Sequence, residues 1–380
     1  MIPTEAPRAP RCPPLSPFAK GELMTTTYGT SGPGRGSAGR AWGRALLGGA
    51  VMAGALGAGN ALGPALVRAL GAEGYAQQLL PAALVSALAV PAVLWLRASR
   101  STKRYPLGLG PPSAAARGFL RGSAVTTSCA ALMLGGGTAA GWVRWSGLDL
   151  AALASFLVSN ALVAVLLEAL PEETTLRGYA WASLRDRFGG VLSALGTTMV
   201  FLLVPAASTV VQAGVARLVG VAAPPVGVTP AGQDPVAYLV LLSVFGLTLV
   251  AARTAPGPAP LWAAIGTHVT FLSVNRVVFE GVQRGAGWSA QVAPIHAAVL
   301  ELGYLVATAA VFVGARMAWS RVGARVRTQA RARVRARARA RARTRAGIPA
   351  YARAQAHRRR PAHPAAVRVV RRVVGSGGHG

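Results

Sequence analysis

Charged residues and cysteines are scarce in this chain. Asp, Glu, Lys and Arg make up 13% of its 380 residues, only 11 residues are acidic, and 52% are hydrophobic. A typical soluble domain is about 25% charged, so this composition excludes an ordinary soluble protein. It indicates an all-α, polytopic membrane helix bundle. The two cysteines, Cys12 and Cys129, lie in a polar segment and in an apolar run, which argues against a disulfide framework.

The chain divides into an apolar middle and two polar ends. Residues 1–41 are rich in Pro, Gly, Ser and Thr, so we expect a disordered tail without a signal peptide and with Met24 as an alternative start. Residues 42–319 form the predicted bundle, with no soluble domain inserted. Residues 320–380 are rich in Arg and Ala, and we expect them to be disordered as well.

Eight apolar runs have about the 20 residues that a membrane span requires. They are residues 45–67, 79–96, 119–142, 150–170, 191–215, 236–252, 261–279 and 292–319. Loops rich in arginine and lysine alternate with loops that are poor in them. By the positive-inside rule, both termini are expected on the cytoplasmic side of the cell membrane.

The segment 321–380 carries 18 arginines and no acidic residue. Because it is tethered at a membrane, we expect it to contact anionic lipid headgroups, at about 1 kcal/mol per basic residue close to the surface. Nucleic acid is a less favoured partner, because Tyr351 is the only aromatic side chain in this segment that offers base stacking. Alternatively, the Arg- and Ala-rich segment is a passive product of GC-rich coding sequence and has no role.

The fourth predicted span ends in two adjacent carboxylates and an arginine, Glu172-Glu173-Thr-Thr-Leu-Arg177-Gly178. Ionisable groups at membrane depth are costly and by default mark a functional site. On a helix Glu173 can pair with Arg177, and Glu168 shares a face with Glu172. Glu172 then has no local cation, which suits a carboxylate that carries protons. A simple helix end, with Arg177 reaching lipid phosphate, explains the same residues without chemistry.

The seventh predicted span, 261–279, contains a second polar group, His268 with Asn275 seven residues later. On an α-helix these two residues share a face but lie about 10.5 Å apart along the axis. A metal ion about 2 Å from each ligand would need both side chains stretched toward it, so the pair is better suited to line one groove. Alternatively, His268 only hydrogen-bonds a neighbouring helix.

The two polar groups together resemble the CPBP family of intramembrane proteases (CAAX proteases and bacteriocin-processing enzymes, also called Abi). The family's EExxxR motif closes a span, FxxxH follows in the next span, and HxxxN comes two spans later. Here the first motif is intact, and the second has Phe201 but Pro205 in place of histidine. The third has His268 with leucine at the asparagine position, and Asn275 is the nearest asparagine. The resemblance covers about residues 119–290.

This resemblance implies hydrolysis of peptide bonds in membrane-associated peptides or proteins. Glu172 would activate a water molecule, and Glu173 and Arg177 would position Glu172. His268 and Asn275 would hold the water, the oxyanion or a metal ion. A zinc ion, if one is used, would be bound by Glu172 and His268, and a glutamate-activated water without metal is the alternative.

The sequence leaves three functions open. An intramembrane endopeptidase is favoured by the two glutamates, Arg177 and His268. A catalytically impaired pseudoenzyme of the same fold, acting as a partner-binding or immunity-type protein, is favoured by Pro205. A proton-coupled transporter would use Glu168, Glu172 and His268 as a relay, although no internal repeat supports it.

Overall fold

The computed structural model describes residues 37–99, 106–229 and 233–346. These segments are mainly helical, which confirms the all-α prediction. The helices are α1 (Ala38–Ala69), α2 (Ala76–Ala98), α3 (Pro112–Ala139), α4 (Leu150–Ala164), α5 (Leu170–Glu172), α6 (Trp181–Arg185), α7 (Gly190–Leu218), α8 (Pro235–Arg253), α9 (Pro260–Val278), α10 (Gly281–Arg284) and α11 (Pro294–Ala346). Two π-helical segments, Val165–Ala169 and Glu173–Ala180, join α4, α5 and α6 into one helix, Leu150–Arg185.

Each of the eight predicted spans corresponds to a long helix. Among the described residues, six helices are long and apolar enough to cross a membrane. They are Ala38–Ala69, Ala76–Ala98, Leu150–Arg185, Gly190–Leu218, Pro235–Arg253 and Pro294–Thr344. Helices α3 and α9 are long enough but not apolar enough to be counted among them. Both carry arginine and several other polar side chains. The chain is a polytopic membrane protein, but the predicted number of eight spans is not confirmed.

Large apolar side chains cover the outside of the bundle. Exposed examples on four different helices include Trp95, Leu132, Val158, Leu203 and Val210. An apolar surface of this extent is unfavourable in water and is expected where lipid surrounds the helices.

Glycines allow α3 and α9 to lie against each other. A Cβ atom on Gly122 would collide with the carbonyl group of Ala263, and one on Gly266 would collide with the carbonyl group of Phe119. Small residues at such crossings let the backbones of membrane helices approach closely. This crossing helps to position His268 in the bundle, because His268 follows Gly266 by two residues.

Aromatic rings connect α7, α8, α9 and α11 in the interior. The ring centroids of Phe201 and Phe245 are 6.2 Å apart, those of Phe245 and Phe271 are 4.2 Å apart, and those of Phe271 and Tyr304 are 6.1 Å apart. Buried aromatic pairs at these distances add to the stability gained from burying their surface. These ring contacts therefore hold the four helices together in the interior. The His268 ring packs edge-on against the ring of Phe245.

A small sheet, which the sequence analysis did not predict, closes one end of the bundle. Strands β1 (Val143–Trp145) and β2 (Ala290–Val292) pair antiparallel, with Val143 opposite Val292. The sheet joins the connection before α4 to the connection before α11.

The polar ends of the chain differ from the predicted disorder where the structure describes them. Helix α1 begins at Ala38, with the Ser37 hydroxyl accepting a hydrogen bond from the Arg40 amide. Helix α11 continues without a break to Ala346. Alanine and arginine are both strong helix formers, so their alternation favours a helix even where no core supports it. The predictions for residues 1–36 and 347–380 lie outside the described residues.

Candidate active site

The EExxxR residues lie in the helix Leu150–Arg185, where Glu172 ends α5 and Glu173 to Arg177 belong to the second π-helical segment. Pro171 has no N–H group to donate, which interrupts the regular hydrogen bonds of an α-helix. The hydroxyl of Thr174 donates to the carbonyl of Leu170 at 2.8 Å, and that of Thr175 donates to the carbonyl of Pro171 at 2.7 Å. Short π-helical segments are rare and occur frequently at functional sites. The local sequence thus explains why the backbone departs from an α-helix at this point.

Glu173 is fully buried and contacts two other site residues. Its Oε1 accepts a hydrogen bond from the guanidinium of Arg177 at 3.2 Å, and it lies 3.1 Å from Nδ1 of His268. None of these side chains is more than 2% exposed. The pairing of Glu173 with Arg177 was expected from their spacing, whereas the contact with His268 was not.

Two further residues hold Arg177 in place. The guanidinium carbon lies 4.4 Å from the ring centroid of Phe201, which is a cation–π contact. The Arg177 carbonyl accepts a hydrogen bond from Nε of Arg253 at 3.1 Å. The buried guanidinium of Arg253 also donates to the carbonyls of Pro106 and Leu107. Sequence reasoning missed Arg253, because these contacts join segments far apart in the chain and leave no local pattern.

Glu172 is 9% exposed and makes no hydrogen bond or ion pair with the described residues. Glu172 directly precedes Glu173 in the chain and takes no part in the Glu173–His268 contact.

Glu168, one turn earlier, is paired with a cation from another helix. An Nη atom of Arg276 in α9 lies 2.5 Å from Oε1 of Glu168. The same guanidinium donates to Oδ1 of Asn160 at 3.0 Å, and Asn160 donates to the hydroxyl of Ser273 at 3.1 Å. The sequence did not indicate this pair, because 108 positions separate its members.

The remaining predicted positions contribute less to this group. The carbonyl oxygen of the Asn275 side chain accepts a hydrogen bond from the Tyr304 hydroxyl at 2.7 Å, so it is already engaged. Pro205 offers no donor where the resemblance expects histidine. His296, a further histidine in the last predicted span, stacks on Trp142 next to β1, with ring centroids 4.5 Å apart.

Comparison with known families agrees with the resemblance that the motifs predicted. Residues 154–274 match the family model "Type II CAAX prenyl endopeptidase Rce1-like". The match covers 121 of the 380 residues (154 to 274), includes the EExxxR residues and His268, and ends one residue before Asn275. It confirms the resemblance to the CAAX proteases that the motifs predicted. No match was found among curated proteins or among solved structures.

The donors around Glu172 and His268 do not fit a zinc ion. Catalytic zinc sites normally use three protein ligands that converge on one point. In the part of the chain that the structure describes, no three side chains of His, Cys, Asp and Glu converge in this way. Asn275, the third donor that the sequence offered, is bonded to Tyr304. We therefore derive no catalytic step through a metal ion.

Proposed function

We propose that the chain is an intramembrane endopeptidase that hydrolyses peptide bonds of membrane-associated peptides with a water molecule activated by Glu172. The similarity to CAAX prenyl endopeptidases supports the reaction class. One observation supports the assignment of roles: Glu173 binds His268 in a buried contact, and Glu172, the preceding residue, is buried and makes no hydrogen bond or ion pair with the described residues. The proposed setting is the cell membrane, with both termini cytoplasmic.

In this proposal Glu173 orients His268. When Nδ1 of His268 donates its proton to Oε1 of Glu173, Nε2 keeps a lone pair and accepts a hydrogen bond. The edge-on contact with Phe245, at a centroid distance of 4.9 Å, restricts the ring further. The guanidinium of Arg177 donates to the same Oε1 of Glu173 at 3.2 Å, which helps to fix the acceptor that His268 faces.

A water molecule that donates one hydrogen to Nε2 of His268 and the other to Glu172 directs its lone pair at a substrate carbonyl. Glu172 takes a proton as the water oxygen bonds to the carbonyl carbon. It then delivers that proton to the amide nitrogen as the C–N bond breaks, which returns the carboxylate to its starting form. Atoms and charges balance without any further reactant.

A pseudoenzyme of the same fold is the second candidate, and two observations favour it. Pro205 stands where the resemblance expects a histidine, and the Asn275 side chain is bonded to Tyr304. Neither residue is therefore an obvious donor to an oxyanion. In this case the chain binds a membrane partner without cleaving it. A proton relay through Glu168 is disfavoured, because Glu168 is already engaged by Arg276 of another helix.

The proposal is tested by incubating the purified protein with a library of membrane peptides, with and without a chelator, and identifying products by mass spectrometry. The zinc content of the same preparation is measured. We expect cleavage that the chelator does not inhibit. Stoichiometric zinc together with loss of activity in chelator would overturn the metal-free step. A complete lack of cleavage would favour the pseudoenzyme.

A further inference from the structure

The arginine-rich end of α11 is a helix with arginines on two opposite faces. From position 331 to position 345, arginine recurs at every second residue. Each step of two residues turns an α-helix by about 200°, so successive arginines point in nearly opposite directions. We define the first face by Arg331, Arg335 and Arg339, which Arg343 continues, and the second face by Arg333, Arg337 and Arg341. All six are exposed, and the sequence after Glu301 contains no acidic residue to neutralise them.

The helix carries these two faces away from the bilayer. A span of about 20 residues that starts near Pro294 ends before Trp319, an exposed aromatic residue of the kind that marks a membrane interface. At about 1.5 Å per residue, Arg331 lies about 18 Å and Arg341 about 33 Å beyond Trp319. The potential of anionic lipids falls off within about 8 Å at physiological salt. Headgroups therefore reach Arg321 but not the two faces.

We propose that this part of α11 binds double-stranded DNA without sequence preference, through phosphates of both strands. The major groove is about 12 Å wide and admits an α-helix of about 10–12 Å diameter, so phosphates lie on both sides of the inserted helix. Two opposite arginine faces match two phosphate rows, whereas a flat lipid surface engages one face only. This differs from the lipid contact expected for a disordered tail, because the segment is a helix.

The composition of the segment sets the mode of binding. Alanine and valine stand between the six arginines, so no amide or carboxylate side chain alternates with them to read base edges. Aromatic side chains are also missing between residues 331 and 341, which disfavours single strands bound by stacking. The proposal does not depend on peptidase activity.

The test uses the full-length protein in nanodiscs of neutral phosphatidylcholine and a short fluorescent DNA duplex, with anisotropy measured over a range of salt concentrations. One variant changes the first face to glutamine, and its matched control changes the second face to glutamine. Glutamine has nearly the helix propensity of arginine, and both variants remove three charges. We expect each variant to make the slope of log K against log salt shallower by about 2.7, from three phosphate contacts at about 0.9 each.

Equal losses in the two variants, for duplexes of unrelated sequence, would support binding between two phosphate rows. A loss in one variant only, or in neither, would overturn the proposal. It would also be overturned if nanodiscs containing phosphatidylglycerol abolished DNA binding and protected the arginines from trypsin, because the bilayer would then be the partner.

Discussion

Oε1 of Glu173 lies 3.1 Å from Nδ1 of His268, although 95 positions separate the two residues. The contact joins the π-helical segment Glu173–Ala180 to α9 in the interior of the bundle. It brings the two polar groups of the sequence into one site, and it restricts the orientation of the His268 ring.

Replacing His268 by alanine should abolish peptidase activity while the protein stays folded in the membrane. The reason is that the water loses the acceptor that holds it against Glu172, which typically costs about 10²–10⁴ in rate. Activity and thermal unfolding in detergent are the two measurements. His296→Ala is the matched control, because His296 stacks on Trp142 next to β1, and it should keep its activity. Equal activity of the two variants would contradict the role of His268.

Replacing Arg177 by alanine should mainly reduce stability. The carboxylate of Glu173 would then be buried without its cation, which typically costs about 3–5 kcal/mol. Denaturation of the purified protein measures the loss. The double variant Glu173→Gln, Arg177→Met removes both charges and should recover much of it. A double variant as unstable as the single one would show that the guanidinium acts mainly through its contact with Phe201.

Replacing Gly122 by alanine should destabilise the crossing of α3 and α9 by about 1–3 kcal/mol, because the added methyl group collides with the carbonyl of Ala263. Activity should fall as well, since the same crossing positions His268. Gly135→Ala, in the same helix but with nothing within 4 Å of an added Cβ, is the control and should not lower stability. Equal unfolding temperatures for the two variants would contradict the close packing of these helices.

Replacing Arg253 by lysine should weaken the hydrogen bonds that support Arg177. In this account Arg253 itself does not contact the substrate. An ammonium group cannot reproduce the planar set of donors that serves the carbonyls of Arg177, Pro106 and Leu107. Each lost charge-assisted hydrogen bond costs about 1.5–3 kcal/mol. We expect a lower unfolding temperature and a lower kcat, with KM nearly unchanged. A wild-type unfolding temperature together with a wild-type kcat would count against a positioning role.

Local patterns in the sequence predicted the features that depend on neighbours along the chain. Apolar runs predicted the long helices, and a spacing of four predicted the pair of Glu173 with Arg177. The segment 320–380 is low-complexity, and the predicted disorder is wrong for residues 320–346, because the alternating Arg and Ala of residues 331–345 both favour a helix.

Contacts between distant helices were not predictable from spacing. The pair of Arg276 with Glu168 and the bond of Tyr304 with Asn275 depend on how α9 packs against its neighbours. The spacing along α9 already separates Asn275 from His268 by about 10.5 Å, and the bond to Tyr304 engages its side chain there. In the same way, Phe201 is half of an incomplete motif in the sequence but covers Arg177 in the fold.

The most direct test of the proposed mechanism compares wild-type protein with Glu172→Gln in the cleavage of one membrane peptide, with Glu301→Gln as a control carboxylate in α11. Glutamine keeps the size of the side chain but cannot accept the proton of the attacking water. We predict that Glu172→Gln lowers the rate by about 10²–10⁴ and that Glu301→Gln cleaves at the wild-type rate. Cleavage by Glu172→Gln at the wild-type rate would contradict the role of Glu172.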